Sequence, residues 1–237
     1  APVRSFLQIF ALCILFLSSC EKDENQITFE FIHRVGTETL EFDTIRYVNA
    51  YGNTFSVVTL KYFISNIILQ KTDGGSLLID EEHYIDASDN TTTSFIPLLK
   101  IPVGTYSRIS FVFGLDTLKN VSGWFTNPPE SKMEWPLGMG GGYHYLKLEG
   151  KLNATGLIKS YQAHMGQLKG MPYYISVDLP ESSFNIDGDD VNIQIIMDIN
   201  KWWVNPNTLD LNDITGIMGN GSIQQQLKEN GNDVFSK

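Results

Sequence analysis

The residues able to do chemistry in this chain are four histidines and a set of methionines close to them in sequence. In Ile27, Phe29, Phe31 and His33 every second residue is apolar until the imidazole, so His33 is expected to end the core-facing row of a strand. His144 shares its alternation with Leu146 and Leu148, opposite Tyr145, Lys147 and Glu149, and is expected on the core face too. His164 alternates with Gln162 and Ser160, which leaves its facing open. His83, between Glu82 and Tyr84 in a charged segment, reads as a surface residue.

A lone inward histidine is usually a core residue with its ring nitrogens satisfied, whereas two or three converging make a ligand set. Met133, Met139 and Met165 lie beside the same segments. Thioether plus imidazole suits soft Cu(I) better than Mg or Ca, although methionine also fills gaps in cores. Thiolate chemistry is unavailable: the cysteines are Cys13 and Cys20, and only Cys20 survives if residues 1–19 are removed. No GxSxG, HExxH or phosphate-loop pattern occurs, so no catalytic motif argues for an enzyme. Asp187-Gly188-Asp189-Asp190 lacks the alternation and terminal Glu of a calcium loop and reads as an acidic hairpin. Trp124, Trp202 and Trp203 could stack on sugar rings or simply anchor the core and a loop.

The elements that must position these residues are mostly strands. Period-two alternation runs through 27–31, 60–69 and 107–113, and further strands are expected over 142–152, 156–165, 172–179 and 191–199. Turn chemistry separates them, as at Thr72-Asp73-Gly74-Gly75. Many short strands with little helical periodicity predict a single all-β antiparallel sandwich, closed by a short helix over Ser222–Lys228 that Asn230-Gly231 stops. The least regular stretch, 116–142, holds Trp124, Met133, Trp135 and Met139 and is the first place to look for function.

Residues 1–19 read as an address. Arg4 precedes the apolar run Phe6–Leu17, too short for an ordinary membrane span, and Leu17-Ser18-Ser19-Cys20 resembles a bacterial lipobox. Residues 20–26 then form a tether carrying lipid on Cys20, and 27–237 form the sandwich domain of an outer-membrane lipoprotein. Glu21-Lys22-Asp23-Glu24 resembles the surface-export tag of Bacteroidetes lipoproteins. With 42% hydrophobic and 19% charged residues, disorder is excluded. The formal charge of −10 becomes −11 when Arg4, the one charged residue of 1–19, is lost, and no Lys/Arg cluster offers a nucleic-acid surface.

Met133-Glu134-Trp135-Pro136 followed by Gly140-Gly141-Gly142-Tyr143-His144-Tyr145-Leu146-Lys147-Leu148-Glu149-Gly150 resembles the MbnP family. Phe31–Gly36, Leu60–Ile67, Phe113–Asp116 and His164-Met165-Gly166 match in the same order, from about Phe29 to Ile199. The resemblance implies a β-sandwich that binds copper through histidines and a kynurenine made from tryptophan by a dihaem enzyme of the cytochrome peroxidase type. On this chain it points to His144 and His164, with His33, Met133, Trp135 or Met139 completing the shell and Trp135 the residue to be oxidised. Leu137 stands where many members carry a second aromatic, and the mature chain lacks their cysteine pair. The function expected is copper acquisition or buffering in the cell envelope. The alternative is a metal-free surface lipoprotein that recognises glycan or protein.

Overall fold

The computed structural model describes residues 26–237. The address of 1–19, Cys20 and the tether up to residue 25 lie outside the described residues. In chain order the strands are β1 (Ile27–Val35), β2 (Glu38–Thr39), β3 (Tyr47–Val48), β4 (Thr54–Phe55), β5 (Thr59–Lys71), β6 (Ser76–Asp86) and β7 (Ser94–Phe95). They continue as β8 (Gly104–Phe113), β9 (Leu146–Ala154), β10 (Leu157–Met165), β11 (Ile175–Leu179), β12 (Phe184–Ile186), β13 (Val191–Asp198) and β14 (Phe235–Ser236). Helix α1 spans Gly221–Asn230.

Two sheets result, as an all-β sandwich requires. One runs β14-β13-β1-β2 with β7 also on β1. The other runs β11-β8-β5-β9-β4-β3, with β6 on β5, β10 on β9 and β12 on β8. The alternation in β1 is realised residue by residue: Phe29, Phe31 and His33 point inward. They meet the facing sheet through aromatic edges such as Phe31 on Tyr62, with Phe235 of β14 packed on Phe113. Burying such rings supplies the driving force for closing the two layers.

Four details differ from the sequence reading. The β1–β13 pair is parallel, because most of the second sheet is threaded between these strands and serves as their crossover. Strand β6 has no clean alternation in its charged sequence and is recognisable only from its pairing with β5. His83 is not a surface residue: strand β7 folds over it, its ring stacks 4.9 Å from Phe95, and Nε2 lies 2.6 Å from the Thr92 carbonyl. The Asp187–Asp190 segment is not a hairpin, since β12 and β13 belong to different sheets and it carries the chain between them. Helix α1 forms where expected, with Asn220 accepting from the Ser222 and Ile223 N–H groups as its cap.

Candidate metal centre

The irregular stretch before β9 folds back on itself to build the site. Trp135 N–H donates to the Gly142 carbonyl at 2.8 Å and His144 N–H to the Met133 carbonyl at 2.7 Å, so Met133–Trp135 runs antiparallel to Gly142–His144. The reversal between them passes through Gly140, Gly141 and Gly142 at φ of 132°, 71° and 80°, conformations that side chains resist. At Gly142 a Cβ would also lie 2.3 Å from Asn120 Oδ1. That amide is needed there: Oδ1 accepts from Tyr143 N–H at 2.7 Å and Nδ2 donates to Tyr145 Oη at 2.9 Å, which pins the loop to the strand entry.

His144 is buried, as its alternation with Leu146 and Leu148 predicts. Strand β9 begins only at Leu146, after a bend at Tyr145 whose N–H donates to the Met165 carbonyl at 2.7 Å. The His144 ring lies against His164, with centroids 5.1 Å apart and planes at 84°. His164 is the cross-strand partner of Lys147 in the β9–β10 register, which puts it on the outer face with Lys147 and Glu149.

Hydrogen bonds fix which nitrogen each imidazole leaves bare. His144 Nδ1 lies 2.9 Å from the Met133 carbonyl, and a carbonyl only accepts, so Nδ1 carries the proton and Nε2 keeps its lone pair. His164 Nε2 lies 2.6 Å from Glu149 Oε1, and a carboxylate likewise accepts, which leaves Nδ1 bare. A carboxylate or carbonyl behind each ring is the arrangement that orients ligating histidines in metal proteins. Gln224 of α1 adds a third restraint, donating to the His164 carbonyl at 2.7 Å. Neither Glu149 nor Gln224 was found from the sequence; Glu149 could have been, as the diagonal neighbour of His164 across the β9–β10 hairpin.

Burial, reinforced by the nearby Lys147 cation, lowers the His144 pKa to about 3. Burial lowers that of His164 too, against the opposing pull of Glu149. Both rings are therefore neutral at neutral pH, with lone pairs available. Trp135 completes the cluster: it is buried, and its ring centroid sits 4.8 Å from that of His144. Gly166 makes this possible, because a Cβ there would stand 2.5 Å from the indole. The Trp135 Nε1 is buried without a partner, but so are those of Trp202 and Trp203; its contact with an imidazole is what sets Trp135 apart.

The remaining expected site residues are placed differently. Met133 is packed in the core and gives His144 its carbonyl rather than its thioether. Met165 is fully buried. Met139 sits half-buried on the turn Leu137–Met139, its backbone tied to Pro136 and Lys169. His33 does not join the pair: it lies on β1 in the other sheet, with Nε2 2.9 Å from Tyr62 Oη. Among the described residues no three His, Cys, Asp or Glu side chains converge on a metal position. Trp202 and Trp203 are fully buried and cannot stack on a sugar, whereas Trp124 is exposed.

The buried histidines make stability fall in acid. Burial holds His33 at about 4 and His144 at about 3, both below the 6.5 of an unfolded histidine. Their contribution is complete above pH 6.5 and is lost as pH falls towards these values, because the unfolded chain takes up the protons. For His33 alone the full loss is on the order of 3 kcal/mol. Urea unfolding of metal-free protein at pH 8 and pH 4.5 should show this slope, and His33→Gln should remove its share.

The site thus consists of an oriented imidazole pair and a tryptophan where the loop meets the sheet of a β-sandwich. The MbnP family model matches residues 24–220, and the chain belongs to that family. Among solved structures, MbnP from Methylosinus trichosporium is similar with a TM-score of 0.54 at 13% identity, covering 75% of this chain and 77% of that one. At this identity the likeness shows the fold. No curated protein matches the sequence.

Proposed function

We propose that the protein binds Cu(I) through His144 Nε2 and His164 Nδ1 and serves copper acquisition or buffering, held in the cell envelope by lipid on Cys20. The observation that carries this reading is the pair of imidazoles in contact, centroids 5.1 Å apart, each with one nitrogen tied back to an acceptor. Two imidazoles are too few for a closed zinc site and the wrong donors for calcium or magnesium, whereas a soft monovalent ion accepts such a set. The protein's part is binding and not turnover.

Trp135 is the side chain placed to extend the shell. Oxidised to kynurenine by a dihaem enzyme of the cytochrome peroxidase type, it would offer carbonyl and amine donors beside His144. The surrounding residues hold the ring in place: Gly166 lets it pack closely, and Gly142 fixes its backbone.

Titration of the protein with Cu(I) against a competing chelator should show one tightly held equivalent; no retained copper would remove the reading. Intact mass of protein from its native host tests the modification separately. A gain of one oxygen with loss of one carbon, mapped to Trp135, is expected for kynurenine, and an unchanged mass would remove that part alone. Glu149→Gln should weaken Cu(I) binding by about 10–100-fold, the range for loss of a partner behind a ligating histidine. In metal-free protein the same change should alter the tautomer of His164, read from its ring nitrogen shifts, while His144 stays unchanged.

A further inference from the structure

A groove of about 740 Å³ crosses the outer face of β5, β6, β8 and β11 and is lined by none of the residues of the histidine pair. Its wall comes from the irregular stretch after β8, which presents Trp124 at 54% exposure. Its floor contains a backbone distortion. The register of β5 against β6 slips between Ser65 and Ile67, and Asn66 there has φ of 50°, left-handed for a residue that is not glycine. Bulges of this kind re-aim side chains and persist where the surroundings hold them. The re-aimed Asn66 side chain lines the groove: Nδ2 donates to Asp116 Oδ2 at 2.6 Å, and Oδ1 is buried with no partner.

The groove carries one cation against three carboxylates, each of which already has a partner in the chain. Lys119 Nζ lies 2.6 Å from Asp80 Oδ1 and 2.9 Å from Glu82 Oε1. Asp116 Oδ1 accepts from the Leu118 and Lys119 N–H groups while Oδ2 takes Asn66. An anion therefore finds no spare cation, and each carboxylate is already engaged by Lys119, Asn66 or backbone N–H groups. What remains on offer is a flat exposed indole, an unmet amide acceptor and the hydroxyls of Ser110 and Ser176. That combination matches a ring with an apolar C–H face and a rim of hydroxyl groups, as aromatic side chains with a polar handle nearby commonly serve amphipathic ligands.

We infer that this groove binds a neutral carbohydrate, with Trp124 stacked on one pyranose ring and Asn66 Oδ1 accepting from one of its hydroxyls. The site is independent of the copper reading, so either can fail alone. The test is titration of the full chain with millimolar laminarihexaose, cellohexaose, maltohexaose, mannohexaose and chitohexaose, followed by the indole N–H resonances of its four tryptophans.

At least one sugar is expected to shift the Trp124 resonance and leave those of buried Trp202 and Trp203 in place. Trp124→Ala should raise Kd by at least about tenfold, with melting and Cu(I) uptake unchanged because the side chain is on the surface. Asn66→Gly, which tolerates the left-handed backbone, should also weaken binding. Absence of binding by all these sugars overturns the inference. So does sugar binding that survives both substitutions, or a groove occupied by an unstructured apolar peptide but by no sugar.

Discussion

Replacing either His144 or His164 by alanine should abolish tight Cu(I) retention, a larger effect than the roughly 10–100-fold lost when a supporting residue behind a ligand is removed. Each variant leaves a single imidazole; Met133 is buried and its carbonyl is the acceptor behind His144. The fold should survive, because the pair lies at the entry of β9 and the end of β10 rather than among the large core rings. His33→Ala should change Cu(I) affinity by less than about threefold, as expected for a residue with no shared partner in the site. Competition against a Cu(I) chelator gives the affinities, and a cooperative melt for each variant shows that affinity and not folding was lost. If His33→Ala releases copper and His164→Ala keeps it, the assignment of the pair is wrong.

The second large effect belongs to the sheet that carries the site. Gly150 in β9 lies so close to its neighbours that a Cβ would stand 1.9 Å from the Ser56 carbonyl and 2.6 Å from the Tyr161 ring. Neither can retreat: Tyr161 is fully buried and its hydroxyl donates to that same Ser56 carbonyl at 2.9 Å. Gly150→Ala therefore forces backbone apart where β9 supports both β5 and β10, and should cost about 3 kcal/mol or more. For a chain of this size that lowers Tm by about 10 °C. Denaturant and thermal melts decide it; a loss below about 1 kcal/mol would show that the strands can separate without penalty. Copper binding in the folded fraction should persist, which separates this effect from that at the histidines.

Much of the framework was legible because burial follows period-two alternation. Ile27 to Phe31 reads as a half-buried strand and lies in β1, which runs on to Val35, and β10 and β13 begin and end within a residue of their expected limits. What alternation could not supply was the bend at Tyr145. A strand pattern predicts His144 buried, and it is, but not that its ring packs against His164. The pairing itself is a consequence of the β9–β10 register, which sets His164 opposite Lys147 and beside Glu149. His33 looked equivalent to the other two histidines because sequence shows which face a residue takes, but not which sheet lies across from it. His83 was misplaced for the converse reason: charged neighbours suggested exposure, and the short strand β7 that covers its ring carries too little pattern to be seen in advance.

The Lys147 cation and the Glu149 carboxylate flank the pair with opposite sign on one face of β9. Burial lowers both imidazole pKa values, that of His144 to about 3, so protons should compete less for these nitrogens than for those of an exposed histidine.

The most direct test of the central claim is nitrogen NMR of the four histidine rings before and after one equivalent of Cu(I), which is diamagnetic and leaves every ring observable. The account predicts that His144 Nε2 and His164 Nδ1 shift together while their opposite nitrogens keep their protons and His33 and His83 do not move. Shifts at His33 or His83, or metal bound at the nitrogens that face the Met133 carbonyl and Glu149, would contradict it.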